Sequence, residues 1–200
     1  MIHGRAALLV IDLQRDFATQ ESSFYCPGCH EMLPGVVKLI TACRTAGVPV
    51  IYTKEVHRAG GIDLGRERTP GEPEHCVLDT PGVELIEEVT PTPNDFVVSK
   101  PRYSAFLGTD LGFVLNGLGV RPGDTLIICG AATDVCVHYT AVDAHQRDYW
   151  IKIVEDCCAG TNPENHRSAL ALLEQRQVGS RTTLDKVLGE LEIYAKGLKI

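Results

Sequence analysis

"TLIICGAATDVCVHYTAVDAH", residues 125–145, changes its hydrophobic period at a cluster of small residues. Thr125 to Gly130 is an apolar run of strand length. Across 134–146, Val137, Ala141 and Ala144 share one helical face. Gly130, Ala131 and Ala132 allow the tight backbone a turn between them requires. The stretch therefore reads as strand, turn and helix, with Cys136 in the first helical turn. A strand apolar on both faces suits a parallel sheet covered by helices on each side.

The same alternation extends outward. AALLVID (6–12), PVIYTKEV (49–56), DFVVSK (95–100) and YWIKIVED (149–156) are further strands, and QVGSRTT (177–183) is a weaker one. Helices are expected at 34–46, 109–119, 134–146 and 161–175. The last opens with Thr161 and Glu164 in capping-box spacing and a proline in the first turn. Short links between strands and helices predict a three-layer α/β/α sandwich, a single domain over 1–200 with a six-stranded, mostly parallel sheet. Residues 57–82 are rich in Gly, Pro and charge and read as a lid or binding loop.

Bulk properties exclude several classes. The 200 residues are 44% hydrophobic and 22% charged, as in ordinary globular chains. A net charge of −7 argues against nucleic-acid binding. No run approaches the roughly 20 apolar residues of a membrane span. MIHGRAALLVIDLQRDF reads as a first strand rather than a signal peptide. Eight cysteines without a secretory signal predict reduced thiols in a cytoplasmic protein.

Three reactive side chains stand at strand ends, where open parallel sheets bind ligands. Asp12 closes the first strand, Lys100 the third, and Cys136 follows the fourth. If the Lys100 strand lies beside the Asp12 strand, all three meet at one rim. A thiol beside a cation and in a first helical turn is expected to ionise more readily. Asp12 would serve as general base and later as acid. Backbone N–H groups of Ala132 and Cys136 would face a developing oxyanion.

At "VIDLQRDF", "KPRYSAFLGTDL" and "GAATDVCVHYTAVDA" the chain resembles the isochorismatase-like cysteine hydrolases, with motifs in order from about residue 6 to 183. The resemblance implies a Cys136–Lys100–Asp12 triad hydrolysing amide or related C–N bonds through a thioester. It also implies a non-proline cis peptide between Ala131 and Ala132, and dimers or tetramers. Its branch acting on N-carbamoyl and ureido compounds is the most similar. Metal-binding nicotinamidases of that family carry Asp-x-His, whereas "KEVHRAGGIDL" has His57 with no such aspartate and only His75 nearby. No metal or other cofactor is therefore expected, and a nicotinamidase-type deamidase is the alternative. Arg58 and Arg102 are candidates to meet a substrate carboxylate, and Phe17, His57 and Tyr103 are candidate pocket walls.

Two other readings stand beside this one. Cys26-Pro27-Gly28-Cys29 has thiol–disulfide spacing, but it is expected in a loop well ahead of the helix at 34–46. His30 adds one more potential ligand, too few for a zinc site. The other class is a hydrolase fold kept as a non-catalytic binding subunit. Cys43, Cys129, Cys157 and Cys158 read as packed, and Cys76 as exposed. The tail "VLGELEIYAKGLKI" packs either on a partner or on its own domain.

Overall fold

The computed structural model describes residues 1–65 and 74–197, so the loop at 57–82 lies partly outside the described residues. Its strands are β1 (Ala6–Ile11), β2 (Val50–Glu55), β3 (Phe96–Lys100), β4 (Thr125–Ala131), β5 (Trp150–Ala159) and β6 (Arg181–Thr182). All pair in parallel, in the order β3-β2-β1-β4-β5-β6. Every residue of β1 and β4 is buried, the pattern of central strands covered on both faces. The edges differ: β3 exposes Phe96 and Val97, and β6 is only two residues long.

The helices are α1 (Arg15–Ala18), α2 (Cys29–Thr45), α3 (Leu111–Gly117), α4 (His138–His145), α5 (Pro163–Arg176) and α6 (Leu184–Gly197). α2 and α6 pack on each other and on β5, and α4 and α5 form a second such pair. The C-terminal tail is thus largely α6, and it packs on its own sheet through Val187 and Leu191. Among the described residues no helix is long and apolar enough to cross a membrane.

Several local expectations change. α2 starts at Cys29, five residues before the predicted onset, because Gly28 at φ 90° serves as its N-cap and Pro34 is accommodated within it. The cap of α5 is Asn162, whose side chain accepts from Asn165 N at 2.9 Å, rather than Thr161. Thr161 instead binds Asp134, with its N–H 2.8 Å from Oδ1, and so ties the start of α5 to the turn carrying Cys136. That turn, Thr133–Val137, is a π-helical turn leading into α4, not regular helix. Cys76 is fully buried.

The largest change concerns strand order. β3 does not lie beside β1: β2 runs between them, with Glu55 opposite Lys100 in register. Whatever joins Lys100 to Asp12 must cross the end of β2.

Close approach is strictest where β1 meets β4. Gly130 pairs with Ile11 at φ 118°, and a Cβ there would stand 2.1 Å from the Ile11 carbonyl oxygen. Gly130→Ala should therefore lower stability by about 3 kcal/mol or more. Gly112→Ala, in exposed helix with open space around it, should be neutral or stabilising by up to about 1 kcal/mol. Denaturant midpoints of the two variants check the pair; similar midpoints would refute the close-approach account.

Candidate active site

β1 ends at Ile11, and Asp12 turns out of the strand with φ 48°. Aspartate is among the few residues that tolerate this region. The turn leaves its carboxylate buried beside β2, where Thr53 Oγ1 donates to Oδ1 at 2.6 Å and accepts from Asp12 N at 3.1 Å. Gln14, also buried, staples the ends of β1 and β2. Its Nε2 donates to the carbonyls of Glu55 (2.8 Å) and Val83 (2.9 Å), and its Oε1 accepts from Glu55 N at 2.7 Å.

Lys100 extends from β3 across the end of β2. Its Nζ lies 2.8 Å from Asp12 Oδ2, 3.1 Å from Glu55 Oε2, 2.9 Å from the Arg102 carbonyl and 3.3 Å from Cys136 Sγ. The structure thus brings Asp12, Lys100 and Cys136 together. It adds Glu55, which sequence reasoning missed as a participant. Cys136 Sγ also lies 3.5 Å from Glu55 Oε2. The available signal was the strand period: Glu55 ends β2 as Lys100 ends β3.

The electrostatics follow from one cation among two carboxylates and a thiol. Burial opposes charge on Lys100, but Asp12, Cys136 and Glu55 outweigh it and hold the ammonium well above its usual range. Burial likewise works against ionising Glu55. Lys100 and the hydrogen bonds from His57 and His75 reverse this and hold the carboxyl well below its usual range. Asp12 is pushed up, chiefly by burial, with Lys100 opposing and Glu55 assisting. Cys136 is also pushed well up, by burial first and then by the two carboxylates, against the pull of Lys100. The expectation of a readily ionised thiol is thus corrected: two carboxylates, not one, face the sulfur.

Above this cluster is a cavity of about 230 Å³, with Cys136, Glu55, Ala131 and Ala132 in its lining and Phe17, Phe24, Tyr25, Tyr103 and Val135 among its walls. The peptide between Ala131 and Ala132 is cis. Phe17 and Tyr103 stand where a pocket wall was expected, but the other three candidates, His57, Arg102 and Arg58, do not line this cavity. His57 is buried behind it with Nε2 3.0 Å from Glu55 Oε1. Arg102 turns its guanidinium to the carbonyls of Asp63 and Pro101. Arg58, 74% exposed, pairs with Asp63 at 2.9 Å. Sequence reasoning missed Phe24, Tyr25 and His75 because an aromatic or imidazole in a loop has no period to reveal its direction.

His75 Nε2 lies 3.1 Å from the Glu55 Oε1 that also meets His57. Glu55, His57 and His75 thus present a carboxylate oxygen and two imidazole nitrogens within 4.8 Å of one another. These donor types hold zinc and related divalent ions, so the set fits a metal. The expectation of none rests on a missing aspartate two residues before His57; Glu55 stands at that position and supplies a carboxylate. A second acidic set, Asp12, Glu55 and Cys136, already surrounds the Lys100 ammonium, which occupies the place of a cation.

Comparison with known proteins agrees in extent. The family model described as the isochorismatase domain matches residues 6–185. Ureidoacrylate amidohydrolase RutB of Methylobacterium radiotolerans is 29% identical, over 84% of this chain and 72% of its own. An isochorismatase-like hydrolase from Alkaliphilus metalliredigens superposes with a TM-score of 0.84 at 30% identity, covering 94% of this chain and 99% of that one. A pyrazinamidase of Pyrococcus horikoshii, solved in complex with zinc, gives 0.79 at 32% identity, covering 90% of this chain and 99% of that one.

Removing the ammonium alone would strand two buried carboxylates. Lys100→Met should therefore destabilise the fold by about 3–5 kcal/mol, and adding Glu55→Gln should restore at least half of that loss. Urea denaturation of the single and double variants measures the coupling; additive losses would contradict the shared-cation account.

Proposed function

The chain belongs to the isochorismatase family, and on that premise we propose that it is a cysteine amidohydrolase acting on a small amide, carbamoyl or ureido compound. It is a hydrolase of carbon–nitrogen bonds other than peptide bonds. One observation carries the reading: Lys100 Nζ touches Asp12, Glu55 and Cys136 Sγ at 2.8, 3.1 and 3.3 Å beneath a cavity that Cys136 lines.

The thiol rests protonated, hydrogen-bonded to carboxylate. Asp12 is the better base of the two carboxylates, because burial raises its proton affinity while Glu55 is held low. A thiol and a carboxyl both pushed up are matched for transfer between them. As Asp12 takes the proton, Lys100 stabilises the nascent thiolate, which attacks the substrate carbonyl carbon. The N–H groups of Ala132 and Cys136 receive the oxyanion. Asp12 then returns the proton to the leaving nitrogen, and ammonia or an amine departs to leave a thioester on Cys136. A water deprotonated by Asp12 hydrolyses the thioester and regenerates the thiol.

The lining supports an uncharged substrate. Among the described residues no guanidinium borders the cavity, and its walls are mainly aromatic. Rings pack well against a flat conjugated amide or ureide.

The Glu55, His57 and His75 set supports a second reading, a metal-assisted deamidase. These three side chains would hold the ion. Bound there, it would supply Lewis-acid polarisation of a carbonyl or of water. The residues of the thiol mechanism act identically in either case.

Ammonia release across a panel of amides and ureides, with and without chelator, separates the two. Cys136→Ser and Asp12→Asn should each lower kcat by about a thousandfold, and Asp12→Asn should show no covalent adduct on Cys136 by intact mass, because the proton transfer that precedes attack is blocked. Wild-type turnover by Cys136→Ser would overturn the nucleophile. Loss of activity on chelation, restored by zinc, would select the second reading.

A further inference from the structure

Cys26 and Cys29 lie where the sequence pattern alone did not place them. Cys29 is the first residue of α2, and Gly28, at φ 90° and ψ −6°, is its N-cap. Cys29 N donates to the Cys26 carbonyl at 3.1 Å, so Cys26-Pro27-Gly28-Cys29 is a hydrogen-bonded β-turn. Proline at its second position and glycine at positive φ at its third are the residues a type II turn requires. Such a turn brings its end Cα atoms within about 7 Å, against the roughly 4.4–6.8 Å that a disulfide spans. Hydrogen bonding with Cys26, then burial and nearby Cys158, push the Cys29 thiol up.

The location matters as much as the geometry. Cys26 lines the cavity that Cys136 lines, and its neighbours Phe24, Tyr25 and Pro27 form one of the walls. The Phe24 ring lies 4.2 Å from that of His75. Cys26 N is anchored to the Phe17 carbonyl at 2.8 Å. Cys29, by contrast, is wholly buried and does not border the cavity. One residue of the pair borders the cavity, and the other is buried next to it in the turn.

We infer that Cys26 and Cys29 form a reversible dithiol–disulfide pair, oxidised by low-molecular-weight disulfides entering the cavity, and that closing the disulfide restricts access to Cys136. The exchange balances. The Cys26 thiolate attacks one sulfur of the oxidant RSSR and releases one thiolate. That thiolate takes the proton of Cys29, whose sulfur then attacks Cys26 Sγ in the mixed disulfide and expels the second RS⁻, which is protonated from solvent. Two protein thiols are oxidised to one disulfide, and RSSR is reduced to two thiols. The change in the wall follows from mechanics. A disulfide ties Cys26 to the first residue of a 17-residue helix, so the Phe24–Pro27 wall can no longer move independently of α2.

This assignment does not depend on the reaction at Cys136, so its test uses no substrate. The full chain is equilibrated in glutathione and glutathione disulfide mixtures, free thiols are alkylated, and disulfide-linked peptides are mapped by mass spectrometry. In parallel, the rate of iodoacetamide modification at Cys136 is followed in the reduced and oxidised forms. A Cys26–Cys29 bond reversible by dithiothreitol is expected, with Cys136 modified about fivefold more slowly when it is closed. Cys29→Ser and Cys29→Ala should keep the reduced wild-type rate and lose its dependence on oxidant. Two variants are used because either substitution at a buried position could impair folding. Pairing of Cys26 with Cys158 or Cys136 would overturn the assignment, as would no 26–29 bond even in pure glutathione disulfide. An unchanged Cys136 rate with the 26–29 disulfide closed would overturn the gating.

Discussion

A single buried ammonium organises this molecule. Lys100 Nζ is the only positive group among Asp12, Glu55 and Cys136 in the described cluster. Taking it out of water is expensive, and only close carboxylates offset that cost. The cluster is therefore all or nothing. Two carboxylates without the lysine repel, and the lysine without them deprotonates. In the proposed mechanism the same constraint shapes the chemistry, because a thiol surrounded by this charge set stays protonated until a substrate arrives and a base takes its proton.

Strand order makes the cluster possible. With β2 between β1 and β3, a long side chain is needed to reach from the end of β3 to the end of β1. Lysine has that length. Glu55 lies beneath its path, and Gln14 fixes the backbone of Glu55 through two hydrogen bonds and reaches the Val83 carbonyl with a third. Thr53 does similar work for the Asp12 carboxylate. On the far side, Asp134 and Thr161 tie the Cys136 turn to the start of α5. Strand ends hold Asp12, Glu55 and Lys100, while the aromatic wall above them comes from Phe17, Tyr103 and the Phe24–Pro27 segment leading into α2.

Legibility followed periodicity. The runs at 6–12 and 125–130 announced their strands because central parallel strands are apolar throughout; Asp12 and Lys100 stood out as polar residues ending apolar runs, and Cys136 as the thiol just after one. Glu55 ends its strand in the same way, but a glutamate near a charged loop reads as solvated surface. Its burial depends on Lys100, 45 residues away. The start of α2 was obscured by Pro34 and by the Cys-Pro-Gly-Cys turn, which locally resembles a loop. Arg58 and Arg102 looked suited to a carboxylate, yet each is engaged by Asp63, a partner that no spacing rule connects to both.

What the sequence determined by itself was the layered α/β architecture, the three chemistry-bearing strand ends and the small-residue turn before Cys136. These are local features, set by hydrophobic period and by the backbone freedom of Gly130. Tertiary structure alone decided that Glu55 shares the lysine, that His57 and His75 converge on one carboxylate oxygen, and that Cys26 faces the cavity of Cys136. Each is a meeting of residues from different loops and strands. Such meetings depend on strand order and loop direction, and neither leaves a period along the chain.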